Sequence, residues 1–418
     1  MPIFTRSRHA ATTLALLALT AGLSGSVQAA PTIIALGVLP GGERSIGVVV
    51  SNGGTAVGGE SDFPDGVRAF RWTPGGGLQN LGVLPDKDYS FIYDMTADGS
   101  EMYGASGGFF TVETPFRWTA GGMQPIAVPP GSEEFFAVTA VSDDGSKRAG
   151  TRAAIGGNTA FHWPVPGSVE DLASVMSGTT SGANDISGDG TAVTGGSYGA
   201  AIGNRAFRWT SASGMQDLGF VDGGFAAYGR GISTDGSVVV GLCRTLFEGD
   251  RAFRWTAPGG MQSLGVPPGA ADSEAQAVSG DGSMVVGNFY NTMLGRGAFL
   301  WTVTLGMVDL NVYLPTLGID LTAWTLVEAW DISPDGSAIT GVGYFNGQEQ
   351  AFLVRGLPTA GCACRADFNC SGAATVQDIF DFLAAWFGGL PSADFNGSGG
   401  APTVQDIFDF LAAWFAGC

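Results

Sequence analysis

The chain has 418 residues, room for two or three domains, with 68 glycines, 14% charged residues and a net charge of −19. So much glycine beside so few charges excludes a helical bundle and favours short strands joined by tight turns, while the 45% hydrophobic fraction excludes global disorder. The negative charge makes nucleic acid and anionic lipid poor partners.

The first predicted element is a signal peptide over residues 1–29. Arg6 and Arg8 supply a positive start, and Ala10 to Leu23 is an apolar run too short for a good membrane span. Val27 and Ala29 stand at the two recognition positions of a small-residue cleavage site. The mature chain is therefore expected to be exported, extracellular or associated with the cell envelope, with no transmembrane span. Cleavage moves the net charge to −21 and removes His9, leaving His162. One imidazole cannot build a histidine metal cluster. His162 also stands where four other repeats carry Arg, so it reads as a structural substitution rather than a general base.

Residues 30–357 repeat. Trp72, Trp118, Trp163, Trp209, Trp255 and Trp301 recur every 45 or 46 residues, mostly in the phrase AFRWT, and a seventh phrase, AFLV, starts at Ala351. A second marker keeps step: Asp98, Asp144, Asp189, Asp235, Asp281 and Asp335 each precede Gly, with Gly53 in the first Asp place. Six residues beyond each marker stands another glycine, from Gly59 to Gly341. Each unit reads as four strands. Asp-Gly turns the first into the second, AFRWT is the third, and a phrase such as MQSLG is the fourth. Four strands in about 46 residues is one propeller blade. The last unit lacks its fourth strand, and the mature start, TIIALGVLPGG, matches fourth-strand phrases. Thr32–Gly37 should therefore complete the last blade and leave no open edge. The fold class is mainly β: a seven-bladed β-propeller closed by an N-terminal strand, plus a small helical module.

AFRWT with GGMQxLG resembles the HAF-type repeats of bacterial extracellular proteins, a resemblance that covers nearly the whole propeller and implies export but no known chemistry. Arg71, Arg117, Arg208 and Arg254 fill one repeat position and read as structural, each pairing within its own blade. The Asp-Gly aspartates read as turn residues. Trp324 and Trp330 fall in an eight-residue expansion before the last blade, which should form a loop able to carry binding. No pair of acids stands out as a glycosidase would need.

After a linker at 358–364, residues 365–418 hold TVQDIFDFLAAWF twice without change, each copy behind a polar loop. In the first, Asp367, Asn369, Ser371, Ala373 and Asp378 fall at positions 1, 3, 5, 7 and 12 of a calcium loop, with Gly372 at the bend. The second offers Asp394, Asn396, Ser398 and Asp406, but is one residue longer and contains Pro402. Val376, Ile379, Phe380, Leu383, Trp386 and Phe387 form an apolar stripe that should pack the two helices together, leaving Phe382, Phe410, Asp381 and Asp409 for a docking face. The doubled motif resembles a dockerin, closest to the dockerin-like anchoring domains of bacterial surface proteins that end in Gly-Cys. That implies calcium, at the first loop more than the second, and a cohesin-like or sorting partner. Cys362 and Cys364 are expected to bridge to Cys370 and Cys418 in either order, unless Cys418 is an attachment residue. Cys243 reads as a buried free thiol.

The expected function is an exported, non-enzymatic binding or structural protein. Its propeller presents the interaction surface, carbohydrate being a candidate ligand, and its calcium-dependent tail docks it. The alternative is a carbohydrate-active enzyme delivered by its dockerin.

Overall fold

The structure is a computed structural model. It describes residues 31–108, 111–129, 135–154, 156–165, 167–172, 174, 180–199, 203–293, 295–357, 366, 368, 376–387, 393, 395 and 402–416. The signal peptide, the linker and Cys362, Cys364, Cys370 and Cys418 lie outside these residues.

Seven four-stranded antiparallel sheets make a seven-bladed β-propeller. Blades 1 to 7 are numbered by their innermost strands: Arg44–Val50, Tyr89–Met95, Phe136–Val141, Thr180–Ile186, Gly224–Ile232, Ala270–Val278 and Trp324–Ile332. Strand Thr32–Gly37 is the outermost strand of blade 7, paired antiparallel to Gln348–Arg355. The expected closure is therefore present. Both ends of the propeller meet in one sheet, so the ring opens only by breaking strand pairing.

The alternation in AFRWT explains the core. Its Phe is fully buried in every blade, at Phe70, Phe116, Phe161, Phe207, Phe253, Phe299 and Phe352. Seven apolar clusters form, each shared by adjacent blades. One joins Leu36, Ala351 and Leu353 of blade 7 to Val57, Phe70 and Trp72 of blade 1. Another joins Ala149 and Ala160 of blade 3 to Val193 and Phe207 of blade 4. Burial of this apolar surface between blades is the main favourable term holding the ring.

The repeat arginines bridge blades, which corrects the own-blade expectation. Arg71, Arg208 and Arg254 donate to the carbonyls of Gly99, Gly236 and Gly282, each in the next blade's Asp-Gly turn. Arg71 and Arg254 also lie over Trp118 and Trp301 of that blade. His162 fills the same role, its Nε2 3.1 Å from the Gly190 carbonyl. Arg117 is the exception and pairs with Glu101 of its own blade. The turn aspartates behave as expected: Asp98 Oδ1, for example, accepts from the Ser100 N–H at 2.9 Å and the Thr96 hydroxyl at 2.7 Å.

Backbone hydrogen bonds also run from turn to turn around the ring, including Asn52 to Ala97, Ala97 to Asp143, Thr234 to Gly280 and Gly280 to Pro334. Pro334 has no N–H to pass on. At that seam Asp335 N–H donates to Asn52 Oδ1, and Gly53 N–H returns to Asp335 Oδ2.

The expansion before blade 7 forms a helix, α1 (Leu310–Thr316), rather than a loop, and Trp324 and Trp330 stand on the strand Trp324–Ile332 that follows it. Asp309 caps it by accepting from Asn311 N–H, and Leu310 and Leu314 are fully buried in the cluster between blades 6 and 7. Trp324 packs on Phe345 and Phe352.

The repeated tail segments form helices α2 (Val376–Phe387) and α3 (Val404–Ala416), which share one apolar cluster. Its centre differs from the expected stripe. Phe382 and Phe410 are fully buried, with Ile379, Leu383 and Trp386 packed around them, whereas Val376, Phe380 and Phe387 are exposed. Phe382 and Phe410 therefore form the core between the helices and not a docking face.

Candidate functional site: the axial channel

Each innermost strand loses register with its neighbour at one equivalent position, and those of blades 5, 6 and 7 do so a second time nearer their starts. The equivalent shifts lie between Gly47 and Val49, Ile92 and Asp94, Val138 and Ala140, Ala183 and Asp185, Gly229 and Gly231, Ala275 and Ala277, and Ala329 and Asp331. A bulge of this kind re-aims the extra side chain. The glycine six residues after each Asp-Gly marker makes the bulge fit. A Cβ on Gly104 would stand 1.9 Å from the Phe91 carbonyl oxygen, and one on Gly287 2.0 Å from that of Glu274.

The residues so inserted are Val48, Tyr93, Thr139, Asn184, Arg230, Gln276 and Trp330, one per blade. They line a cavity of about 320 Å³ on the ring axis. That volume lies at the small end of the range of roughly 300–1,000 Å³ usual for small-molecule sites. All seven differ in type, although the positions around them repeat.

Most of the polar members are held by a neighbour. Thr139 Oγ1 donates to the Ala183 carbonyl at 2.9 Å, and Asn184 Nδ2 to that of Gly229 at 2.7 Å. Arg230 donates through Nε and Nη2 to Glu274 Oε1, at 3.1 and 2.7 Å. Gln276 Nε2 donates to Asn288 Oδ1 at 3.1 Å. Trp330 Nε1 is buried and has no hydrogen-bond partner among the described residues.

One residue further along each strand, Asp94, Asp185 and Asp331 stand where other blades have Val49, Ala140, Gly231 and Ala277. The three acids also line a smaller cavity of about 90 Å³ on the side of the Asp-Gly turns. Each carboxylate bonds two backbone groups. Oδ1 accepts from the following residue: Met95 at 2.7 Å, Ile186 at 2.7 Å and Ile332 at 2.8 Å. Oδ2 accepts from the next blade: Val141 at 2.7 Å, Ile232 at 2.8 Å and Val50 at 2.8 Å. Burial, then the charge of Asp143, pushes Asp185 up to about 7; burial, then the charge of Asp185, does the same for Asp331. Asp94 is raised well above the carboxylate range by burial and then by Asp185. Among the described residues no three acidic, histidine or cysteine side chains converge as metal ligands.

Of the proposed calcium ligands, Asp367, Asn369, Ser371, Ala373, Asp394, Asn396 and Ser398 lie outside the described residues. Asp378 and Asp406 are described. Each sits in the first turn of its helix and is fully buried. Asp406 Oδ2 accepts from the N–H and hydroxyl of Thr403, at 2.8 and 2.9 Å. Cys243 is a buried free thiol, raised by burial. No helix among the described residues is long and apolar enough to cross a membrane.

Of the channel residues the sequence marks only Trp330, through the expansion before the last blade; the other six are missed because repetition draws attention to what recurs, whereas these positions vary. The seven-fold glycine opposite the bulge was the available signal.

No family model and no curated protein matches the chain. Solved structures match its fold. An oligogalacturonate lyase from Vibrio parahaemolyticus has a TM-score of 0.54 at 10% identity, covering 77% of this chain and 93% of that one. An oligogalacturonate lyase in complex with manganese has a TM-score of 0.54 at 11% identity, covering 77% and 92%. TolB from Acinetobacter baumannii has a TM-score of 0.43 at 16% identity, covering 65% and 64%. At such identities the lyases show that this chain shares their propeller fold, and nothing further.

Proposed function

We propose that this is an exported, non-enzymatic binding protein whose ligand sits in the wider axial cavity. The paired-helix tail is its calcium-dependent dock on the envelope or a scaffold. One observation carries the binding reading: seven equivalent bulges, set by a repeated architecture, present seven different side chains to one cavity. A rigid scaffold with variable residues at one focus is how propellers and other superfolds host recognition. The tail reading is supported by the doubled loop–helix motif. With calcium bound, Asp378 and the loop oxygens of Asp367, Asn369, Ser371 and Ala373 would be its ligands at the first loop, and Asp406 with those of Asp394, Asn396 and Ser398 at the second.

The enzyme alternative keeps one supporting observation. Asp185 and Asp331 hold protons up to about 7, a range suited to general acid catalysis, and they line the cavity. Against it, both oxygens of each carboxylate are engaged by backbone N–H groups.

The experiment is a thermal-shift screen of the full chain against oligosaccharides, peptides and nucleotides, run beside Trp330→Ala. At least one class should stabilise the wild type and not the variant. A screen in which no compound separates the two proteins overturns the binding reading. Any oligosaccharide hit is then assayed for release of new reducing ends; release that Asp331→Asn abolishes replaces the binding reading with the enzyme.

A further inference from the structure

The polar groups facing the wider cavity are a specific mixture. Thr139, Asn184 and Gln276 spend hydrogens on neighbouring acceptors. Such pinning fixes their rotamers and turns the remaining oxygen lone pairs into acceptors aimed from rigid positions. Trp330 contributes its ring: its indole N–H is buried away from the open space and has no acceptor among the described residues.

The site thus asks for a molecule that donates to several oxygens. A hydroxyl does so, and a carboxylate or phosphate does not. Charge points the same way. Among the described residues lining the cavity the cation, Arg230, is already paired with Glu274, and Asp94, Asp185 and Asp331 each accept two backbone N–H groups. An ion of either sign therefore finds no unpaired partner there. The aromatic faces of Tyr93 and Trp330 complete the set, because a sugar ring has an apolar C–H face that stacks on such surfaces.

Resting on the binding reading above, we infer that the wider axial cavity takes an uncharged sugar unit, stacked on Trp330 and Tyr93, with its hydroxyls donating to the oxygens of Thr139, Asn184 and Gln276. The cavity of about 320 Å³ holds one or two hexose rings rather than a long segment, so an end of a glycan or a short oligosaccharide is the occupant.

Isothermal titration of the full chain tests this. The probes are uncharged hexasaccharides of β-1,4-glucan, β-1,3-glucan, β-1,4-mannan and β-1,4-xylan, with alginate and chitosan hexasaccharides as the anionic and cationic contrasts. The proteins are wild type, Trp330→Ala and Trp330→Phe, the last keeping a ring while losing the N–H. The expected result is binding of at least one uncharged probe, weakened about tenfold or more by Trp330→Ala and less by Trp330→Phe. Alginate or chitosan binding that depends on Trp330, with none for the uncharged probes, overturns the ligand class but leaves the cavity a binding site. If no probe shows Trp330-dependent binding, the sugar inference falls. The broader screen with peptides and nucleotides then decides separately whether the cavity binds anything. Should Trp330→Ala fail to fold, Tyr93→Ala takes its place: unchanged affinity overturns the stacking.

Discussion

The carboxylate of Asp331 accepts a hydrogen bond from the backbone N–H of Val50 at 2.8 Å, across the seam where blade 7 meets blade 1. Its other oxygen takes the N–H of Ile332. Asp331→Ala strips the acceptor from both donors and should lower unfolding free energy by about 1–3 kcal/mol, read from urea transitions. Asp331→Asn keeps one acceptor oxygen and should lose less. An alanine variant as stable as wild type would show that water in the channel replaces the clamp in full.

The acid belt has a pH signature. Asp185 and Asp331 are held up to about 7 against an ordinary value of 3.8, so the folded chain binds their protons over a range in which the unfolded chain has released them. Stability then falls as pH rises: the contribution is complete below about 4 and is lost as pH climbs through about 7. Glu60, raised to about 7 by burial and then by Asp62, acts with the same sign. Melting temperatures across this window should decline in the wild type and decline less in Asp185→Asn. Equal slopes would mean that Asp185 titrates alike in both states.

The glycine opposite each bulge is a steric requirement. Gly104→Ala places a Cβ 1.9 Å from a carbonyl oxygen and should cost about 2–3 kcal/mol or more. Gly77 makes the control: its φ is +62° and nothing lies within 4 Å of its added Cβ. Gly77→Ala meets only backbone strain and should cost on the order of 1 kcal/mol. Denaturant midpoints of the two variants separate the causes.

In the tail, the Phe382 and Phe410 rings stack with centroids 4.2 Å apart and planes 6° from parallel. Phe382→Ala should destabilise the helix pair by about 3–5 kcal/mol and speed limited proteolysis of the tail in the full chain. Phe380, 62% exposed, should change to Ala within about 0.5 kcal/mol. Similar proteolysis rates for the two variants would contradict this packing.

The calcium proposal makes the two loops unequal. The second is one residue longer and carries Pro402. Asp378→Asn should therefore remove more calcium binding by titration calorimetry of the full chain than Asp406→Asn. Chelator should raise the tail's protease sensitivity in the wild type. Equal calorimetric losses, or none, would set the loop reading aside.

The blade count, the turn chemistry and the closing strand were all legible in the sequence because each is local or repeated. Asp-Gly states its own turn, AFRWT its own alternation, and a missing fourth strand points to the unmatched phrase at Thr32–Gly37. Two things waited for the tertiary structure. The helix segment VQDIFDFLAAWF carries apolar residues around most of its circumference, so periodicity permits more than one buried face; only contact with its twin selects the face bearing Phe382. The convergence of the channel residues on the axis was hidden for a different reason. A bulge breaks the two-residue alternation by which strand positions are assigned to faces, so Tyr93, Arg230 and Trp330 turn toward the axis at positions no alternation rule marks. Sequence determined the ring; the convergence of seven unlike side chains on its axis exists only once the blades close around it.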